Sequence, residues 1–429
     1  MRTLALFALV AALILGTGVL QSWNSALIIL NMGLVSAIMA LGVNLQWGLA
    51  GLFNVGVMGF VALGGLAVVL TSTAPVPQAW TAGGARIIAA LILGAASITL
   101  GAVAWRTLHR GRRGLAVAVI AVLGFVAFRW VLDPAVEAVE AVNPAATGYL
   151  GGLGLPVLLA WPVGGLLAAG VAWVIGKTAL GLRSDYLAIA TLGIAEIVIA
   201  VLKNEDWLAR GVKNVIGLPR PLPYEIDLQG SPVFAGRADA LGLDVTTAST
   251  LYVKLGYSVL FSAVLIAVLV LAQLALTSPW GRMMRAIRDN EEAAEAMGKD
   301  VTARHLQVFI LGSVLCGIAG AMMTTLDGQL TPSSYQPLRY TFLIWVMVIL
   351  GGSGNNLGAV LGGFLVWFLW VQVEPIGQWV MQIATSGMAA ESALRVHLLE
   401  SVQHMRLLTM GIILLVVLRF APRGLLPEK

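Results

Sequence analysis

The residues best suited to interaction chemistry stand together in Asp289-Asn290-Glu291-Glu292-Ala293-Ala294-Glu295-Ala296-Met297-Gly298, between two long apolar stretches. Asp289 or Asn290 can cap a helix whose next turns run Glu291 to Met297, and Glu292 follows Asp289 by three residues in capping-box register. Gly298 supplies a left-handed stop. A helix of about two turns is marginal alone in water and needs a partner to hold it. Ala293, Ala294 and Ala296 leave its backbone bare for close approach, while Glu291, Glu292 and Glu295 offer negative charge to a basic rim. The run reads as a docking helix, with a solvated amphipathic linker as the plainer alternative.

Glu196 is the second candidate, ten residues after Tyr186 inside an apolar segment. A lone carboxylate at that depth costs several kcal/mol or takes up a proton. It either lines a polar route or pairs with Arg129 or Lys203 and locks helices together. Asn44, Gln46 and Asn54 flank a glycine-rich segment, where interhelical hydrogen bonding and ligand contact are both open to them. Asn355 and Asn356 follow Gly351-Gly352-Ser353-Gly354, so they stand at a helix end facing a pore or in an ordinary turn.

Catalytic sets are not evident. Gly176-Lys177-Thr178 suggests a phosphate loop, but five residues separate Gly170 from Gly176 where the motif needs four. Gly352-Ser353-Gly354 fails as a dinucleotide loop because Leu357 holds the third glycine position. Cys316 is alone in an apolar run and suits a helix contact. His397 and His404 lack a carboxylate or cysteine at metal-ligand spacing. No Ser/His/Asp or Cys/His set suggests catalysis, so a transport subunit without an ATPase site of its own, binding no cofactor or metal, is expected.

The elements that must position these groups are membrane helices. The 429-residue chain is 59% apolar and 11% charged with a mean hydropathy of +0.90, too few charges to cover a soluble globule of this size. The net charge of +5 needs no nucleic-acid partner, since the cations are distributed by topology. Twelve segments approach the roughly 20 residues needed to cross a ~30 Å core. They lie near 4–20, 25–45, 48–71, 86–105, 114–132, 153–176, 186–203, 252–277, 305–325, 340–351, 357–373 and 406–419. The segment 340–351 is short and 48–71 is broken by glycines, so both are expected as half-helices or re-entrant pieces, which gives about 10–12 spans in an all-α polytopic fold. The first segment reads as an anchor and not a cleaved signal, because another span begins near Ala26.

An inner N-terminus with strict alternation places Arg106, Arg110, Arg112 and Arg113 inside, with Arg282, Arg285, Arg288, Lys299 and Arg304, and finally Arg419, Arg423 and Lys429. Three polar pieces remain: an outer loop 204–251 punctuated by Gly and Pro and expected to be turns and extended chain, an inner loop 278–304, and an outer stretch 374–405. Gly312, Cys316 and Gly320, and likewise Gly358 and Gly362, recur every four residues and give flat faces for close helix packing.

Glu292-Ala293-Ala294 followed after three residues by Gly298 resembles the EAA loop of ABC importer permeases. The run from Leu182-Arg183-Ser184-Asp185-Tyr186 through Thr191 to Ile197 is similar to the signature of the M-type permease subunit of branched-chain amino acid importers. Gly281 to Gly298, Val348-Ile349-Leu350-Gly351-Gly352-Ser353-Gly354, Asn44 to Gly65 and Arg419-Phe420-Ala421-Pro422-Arg423-Gly424 carry the same resemblance in the same order. Departures are Arg210 to Ile216, where such permeases have a Gly-Gly-Pro-Asn-Gly-Ile run, and residues 86–132, which look like an added helical hairpin.

The resemblance implies one permease domain over 1–429 in the bacterial inner membrane, with 204–251 periplasmic and 278–304 a cytoplasmic coupling loop. It implies a homologous second permease, two cytoplasmic ATPases that use the ATP, a periplasmic substrate-binding protein and surrounding lipid. Asp289, Glu291, Glu292, Ala293, Ala294, Glu295 and Gly298 would couple to the ATPase. Asn44, Asn54, Asp185, Tyr186, Thr191, Glu196 and Asn355 are candidates for the translocation path. Leucine, isoleucine and valine are the implied substrates; the same machine moving urea, short amides or another amino acid is the nearer alternative, and an ion-coupled secondary transporter the farther one.

Overall fold

A computed structural model describes residues 1–144, 146–389 and 391–428. Lys429, expected at the inner face, lies outside the described residues, as does the Arg110 side chain. All twelve apolar segments are helical. Labelled in chain order with the two helices of the inner loop, they are α1 (Arg2–Leu20), α2 (Trp23–Leu49), α3 (Val57–Ser72), α4 (Pro77–Thr107), α5 (Arg110–Glu140), α6 (Val157–Ala179), α7 (Ser184–Asn204), α8 (Val245–Thr277), α9 (Pro279–Asp289), α10 (Glu291–Ala296), α11 (Val301–Asp327), α12 (Pro337–Gly351), α13 (Asn356–Ala384) and α14 (Ala393–Phe420). Ten are long and apolar enough to cross a membrane, and the two that fall short, α3 and α12, are the two segments marked as interrupted in the sequence.

Helix ends are set by local chemistry. Ser22 caps α2 by accepting from Ser25 N at 3.1 Å, Asp300 caps α11 by accepting from Ala303 N at 2.9 Å, and Gly328 at φ +66° closes α11.

Contacts between distant ends show which of them share a side. At one end Arg288 reaches Gly48 and Glu428, and the backbone N–H groups of Leu425 and Leu426 donate to the carbonyls of Leu350 and Gly351, each at 2.8 Å. At the other, β1 (Val215–Ile216) pairs antiparallel with β2 (Gln329–Leu330), Gln21 donates to Gln372 at 2.8 Å, and Arg406 pairs with Glu374. Each contact joins ends that strict alternation from an inner N-terminus puts on the same side, which agrees with the positive-inside assignment.

The centre is α2, enclosed by α8, α11, α12 and α13, and α3 and α6 pack on α11 to complete the body. Glycine faces bring backbones together. A Cβ on Gly64 would run into the Gly317 carbonyl, one on Gly320 into Val61 O, and one on Gly312 into Gly42 O. The stripe Gly312, Cys316, Gly320 therefore works as a packing face, with the Cys316 thiol fully buried against Gly42. Gly358 and Gly362 likewise bear on Gly351 and Met347 of α12.

Three expectations need correction. The loop 204–251 holds short helices at Asp206–Ala209, Glu225–Gln229 and Pro232–Ala240, the last capped by Ser231, besides β1, because its Gly/Pro punctuation separates short helical turns instead of preventing them. The stretch 374–405 is not a loop throughout: α13 runs through Pro375 to Ala384, with Glu374 held by Arg406. The hairpin expected at 86–132 extends over α4 and α5 from Pro77 to Glu140, anchored at its outer end by Ile87, Ala90, Leu132, Ala135 and Trp207.

The Gly64 contact predicts that Gly64→Val destabilises the folded permease by about 2–3 kcal/mol or prevents its accumulation. Gly101→Val on α4, with open space around it, should be tolerated. Thermal unfolding in detergent compares the two, and equal stability would overturn the packing assignment.

Candidate functional site

The site is built where helices break at membrane depth. The last turn of α2 widens into a π-helix over Asn44–Leu49, a distortion frequent at functional positions. The chain then leaves helical geometry, turns at Gly51 with φ +70°, and restarts at Val57. Backbone groups freed there must be satisfied within the protein. Leu52 N donates to Gln46 O at 2.9 Å, Val55 N to Thr191 Oγ1 at 3.1 Å, and Gly56 N to Asn54 Oδ1 at 2.8 Å. Asn54 Nδ2 donates to Gln46 Oε1 at 2.8 Å, and Gln46 Nε2 to Phe309 O at 2.8 Å.

Trp345 of α12 closes this break. Its indole N–H donates to Asn54 O at 3.1 Å, and its ring lies 4.7 Å from Trp47 and 4.6 Å from Phe53, centroid to centroid. Between α12 and α13 the chain breaks again at Gly352 and Gly354, whose φ values of +119° and +80° exclude most side chains. Asn44 bridges the two breaks: its Oδ1 accepts from Gly354 N at 2.8 Å and its Nδ2 donates to Asn356 Oδ1 at 3.0 Å. Asn355 caps α13 by accepting from Leu357 N at 3.0 Å, and it donates to Pro427 O at 3.2 Å.

Directly below, α9 delivers Arg288 to the same place. Its Nη1 donates to Gly48 O at 2.5 Å and to Glu428 Oε2 at 2.9 Å, and Nε stands 3.2 Å from Asp289. Burial works against the Arg288 charge, but Glu428 and Asp289 outweigh it and hold the guanidinium above its ordinary value. One side chain thus ties the inner loop, the base of the first break and the C-terminal tail.

The inner loop is a helix pair. Met284 and Ile287 bury one face of α9 in the body. In α10 the cap is Asn290, which accepts from Ala293 N at 2.9 Å, so Asp289 and Glu292 do not form the expected capping box; Asp289 instead ends α9 beside Arg288. Gly298 takes the left-handed stop at φ +76°. Glu291, Glu292, Ala293 and Glu295 are exposed, and Ala294 is half-buried.

Two cavities open in this part of the body. The outer one, of about 260 Å³, lies between α2, α3, α11, α12 and α13. The inner one, of about 320 Å³, is bordered by Gln273, Arg285, Asn355, Asn356 and Glu428.

The path candidates are thereby sorted. Asn44, Asn54 and Thr191 hold the breaks together and Asn355 borders the inner cavity, while Asp185 and Tyr186 are exposed at the start of α7. Glu196 is exposed midway along α7 and has no ion pair among the described residues; Arg129 is paired instead with Asp133 at 3.0 Å. The sequence reading placed neither Trp345 nor Arg288 in the site, because one resembles any core aromatic and the other any positive-inside residue.

Comparisons with known proteins agree with this architecture. A family model described as "Branched-chain amino acid transport system / permease component" matches residues 111–418, beginning inside the α4–α5 hairpin. The chain is 28% identical over 232 residues to the high-affinity branched-chain amino acid transport system permease protein LivM of Escherichia coli (strain K12), covering 53% of each chain. It is 26% identical to a probable branched-chain amino acid transport permease protein LivM of Methanocaldococcus jannaschii, covering 67% of this chain and 72% of the relative. The xylose transport system permease protein XylH of Escherichia coli (strain K12) is 24% identical, covering 65% of this chain and 62% of the relative. The alignment thus spans about half the length of the Escherichia coli LivM relative. No solved structure matches the chain.

The Asn44 bridge predicts that Asn44→Ala lowers stability by about 1–2 kcal/mol, and that adding Asn356→Ala costs less than it does alone. Unfolding in detergent micelles measures both, and strictly additive losses would show that the two breaks are not linked through this pair.

Proposed function

The chain belongs to the branched-chain amino acid transport system permease family, and from that membership we propose that it is the membrane permease subunit of an ATP-driven importer of leucine, isoleucine and valine in the bacterial inner membrane. The observation that carries the coupling is α10: a short, capped, acid-rich helix standing free on the inner face, with only Ala294 turned toward the body. Such a helix is stabilised by a partner that supplies basic groups, and the resemblance to EAA loops makes that partner an ATPase.

Two ATPases, a second homologous permease and a periplasmic substrate-binding protein complete the importer in this reading. Glu196 supports the second permease, since a carboxylate facing hydrocarbon costs several kcal/mol and is expected to be covered by protein or a polar path. The ATP chemistry belongs to the partner subunits.

Motion imposed on α10 passes to α9 and through Arg288 to the Gly48 carbonyl, at the base of the first break. Asn44 carries the same displacement to the second break through Gly354 and Asn356. The cluster of Trp47, Phe53 and Trp345 then parts or closes, giving access from one side at a time. The ion-coupled alternative leaves α10 without a purpose.

In cells lacking this chain, the native form should restore uptake of labelled leucine and co-purify with an ATPase. Glu292→Lys at equal membrane level should lower uptake about tenfold or more by reversing charge at the docking helix. Equal rescue by both would remove Glu292 from coupling; failure of both would redirect the substrate to urea, amides or another amino acid. Arg288→Gln should leave ATPase association intact and lower uptake per ATP hydrolysed by about tenfold. Unchanged stoichiometry would remove Arg288 from the relay.

A further inference from the structure

The α4–α5 hairpin has features that its packing on the body leaves unused. The two helices touch where Gly94 faces the Phe128 ring and Gly124 the Ser97 side chain. Toward the inner turn that close contact is not continued: a Cβ on Gly101 of α4 or on Gly114 of α5 would meet nothing within 4 Å. An open apolar groove of about 800 Å³ lies between the helices, with Ala95, Gly101 and Ala121 leaving room in it and Ile98, Trp105 and Phe125 giving it bulk. The Ser97 hydroxyl along it is spent on Leu93 O at 2.8 Å, so the middle of the groove makes no polar demand on a guest. From Leu91 to Trp105 the lining runs about 21 Å along α4, more than the ~15 Å of hydrocarbon in one leaflet.

The inner end of the groove is basic. Trp105 lines it there and carries the Arg113 guanidinium over its ring, 4.3 Å from the centroid, so groove and cation are joined. Arg106 and Arg112, the chain neighbours of these two residues, are exposed. None of the three cations has an ion pair among the described residues. The first acidic residue of the chain is Asp133, about 30 Å along α5 from Arg113 and toward the other face. Alternation of the spans puts the turn itself on the inner face. A guest that fits therefore has an apolar chain as long as a leaflet is deep, continuous with an anionic group at the inner interface. A phospholipid supplies both in one molecule, whereas a neighbouring transmembrane helix would fill the hollow without answering the cations.

We propose that the α4–α5 hairpin holds an anionic phospholipid of the inner leaflet, with an acyl chain in the groove over Gly101 and Ala121 and the headgroup received by Arg106, Arg112 and Arg113. Basic clusters at the cytoplasmic edge of transmembrane helices recognise anionic headgroups in this way. The hairpin is packed on the body at its outer end, where Ile87, Ala90, Leu132, Ala135 and Trp207 are buried together. A lipid bound at the inner end braces the part that this packing does not reach. The site does not depend on which solute the permease carries.

The test is lipid retention by the purified full-length chain, stripped of lipid in detergent and then given an equimolar mixture of phosphatidylglycerol and phosphatidylethanolamine, with bound lipid identified by native mass spectrometry. The native chain should retain phosphatidylglycerol about tenfold over phosphatidylethanolamine. Arg112→Gln combined with Arg113→Gln, which leaves Arg106 for orientation, should remove that preference. Gly101→Phe, which fills the groove where a side chain has room, should lower phosphatidylglycerol retention about tenfold while the unfolding temperature of the lipid-free protein stays at its native value. Lipid bound by the native chain in the proportions supplied, or native retention in either variant, would overturn the site. A photo-crosslinking side chain at position 121 that captures a second protein subunit in intact membranes, and not lipid, would overturn it as well.

Discussion

Backbone that leaves the helix inside a membrane must find every hydrogen-bond partner within the protein, and the rest of this structure depends on how that requirement is met. The segment 51–56 and the turn 352–355 are the two places where it arises deep in the body. Gln46, Asn54 and Thr191 satisfy the first, and Asn44 reaches from its edge to the second. Had each break been satisfied separately, the two would be independent defects. Because Asn44 stands at the edge of the first break and its side chain satisfies the second, the two are tied together through α2.

This explains why polar residues suspected of lining a path are buried in structural bonds. Asn44, Asn54 and Thr191 accept from the backbone N–H groups of Gly354, Gly56 and Val55, and the two asparagines also donate to Asn356 and Gln46. Glu196, exposed on α7, is by contrast without an ion pair among the described residues.

Much of this was legible in the sequence. Apolar length gave the twelve helices, and clustered glycines or shortness the two interrupted segments, because each rests on a local property of the chain. The Asn290 to Gly298 helix was legible for the same reason, since its cap and stop lie within its own few residues; only the choice between Asp289 and Asn290 went to the neighbour, once Arg288 engaged Asp289. What stayed hidden was long-range pairing. Nothing local to Trp345 indicates that it closes on Asn54, nor does anything near Arg288 indicate Gly48 and Glu428. The continuation of α13 past Pro375 was hidden likewise, because Arg406 holds Glu374 from another helix.

The distribution of glycine contacts bears on how such a body could move. Where Gly64 meets Gly317 and Gly320 meets Val61, α3 and α11 touch backbone to backbone, and the same holds for α2 and α11 at Gly42 and Gly312. Interfaces without intervening side chains have little to compress or rotate, so these helices are expected to travel as one unit. Compliance is then left to the segments whose hydrogen bonds come from side chains, which can exchange partners by rotating. Those segments are the two breaks, and Arg288 grips one of them from the helix pair α9–α10 on the inner face. A stiff body interrupted by side-chain-bonded breaks has the mechanical form that alternating access requires.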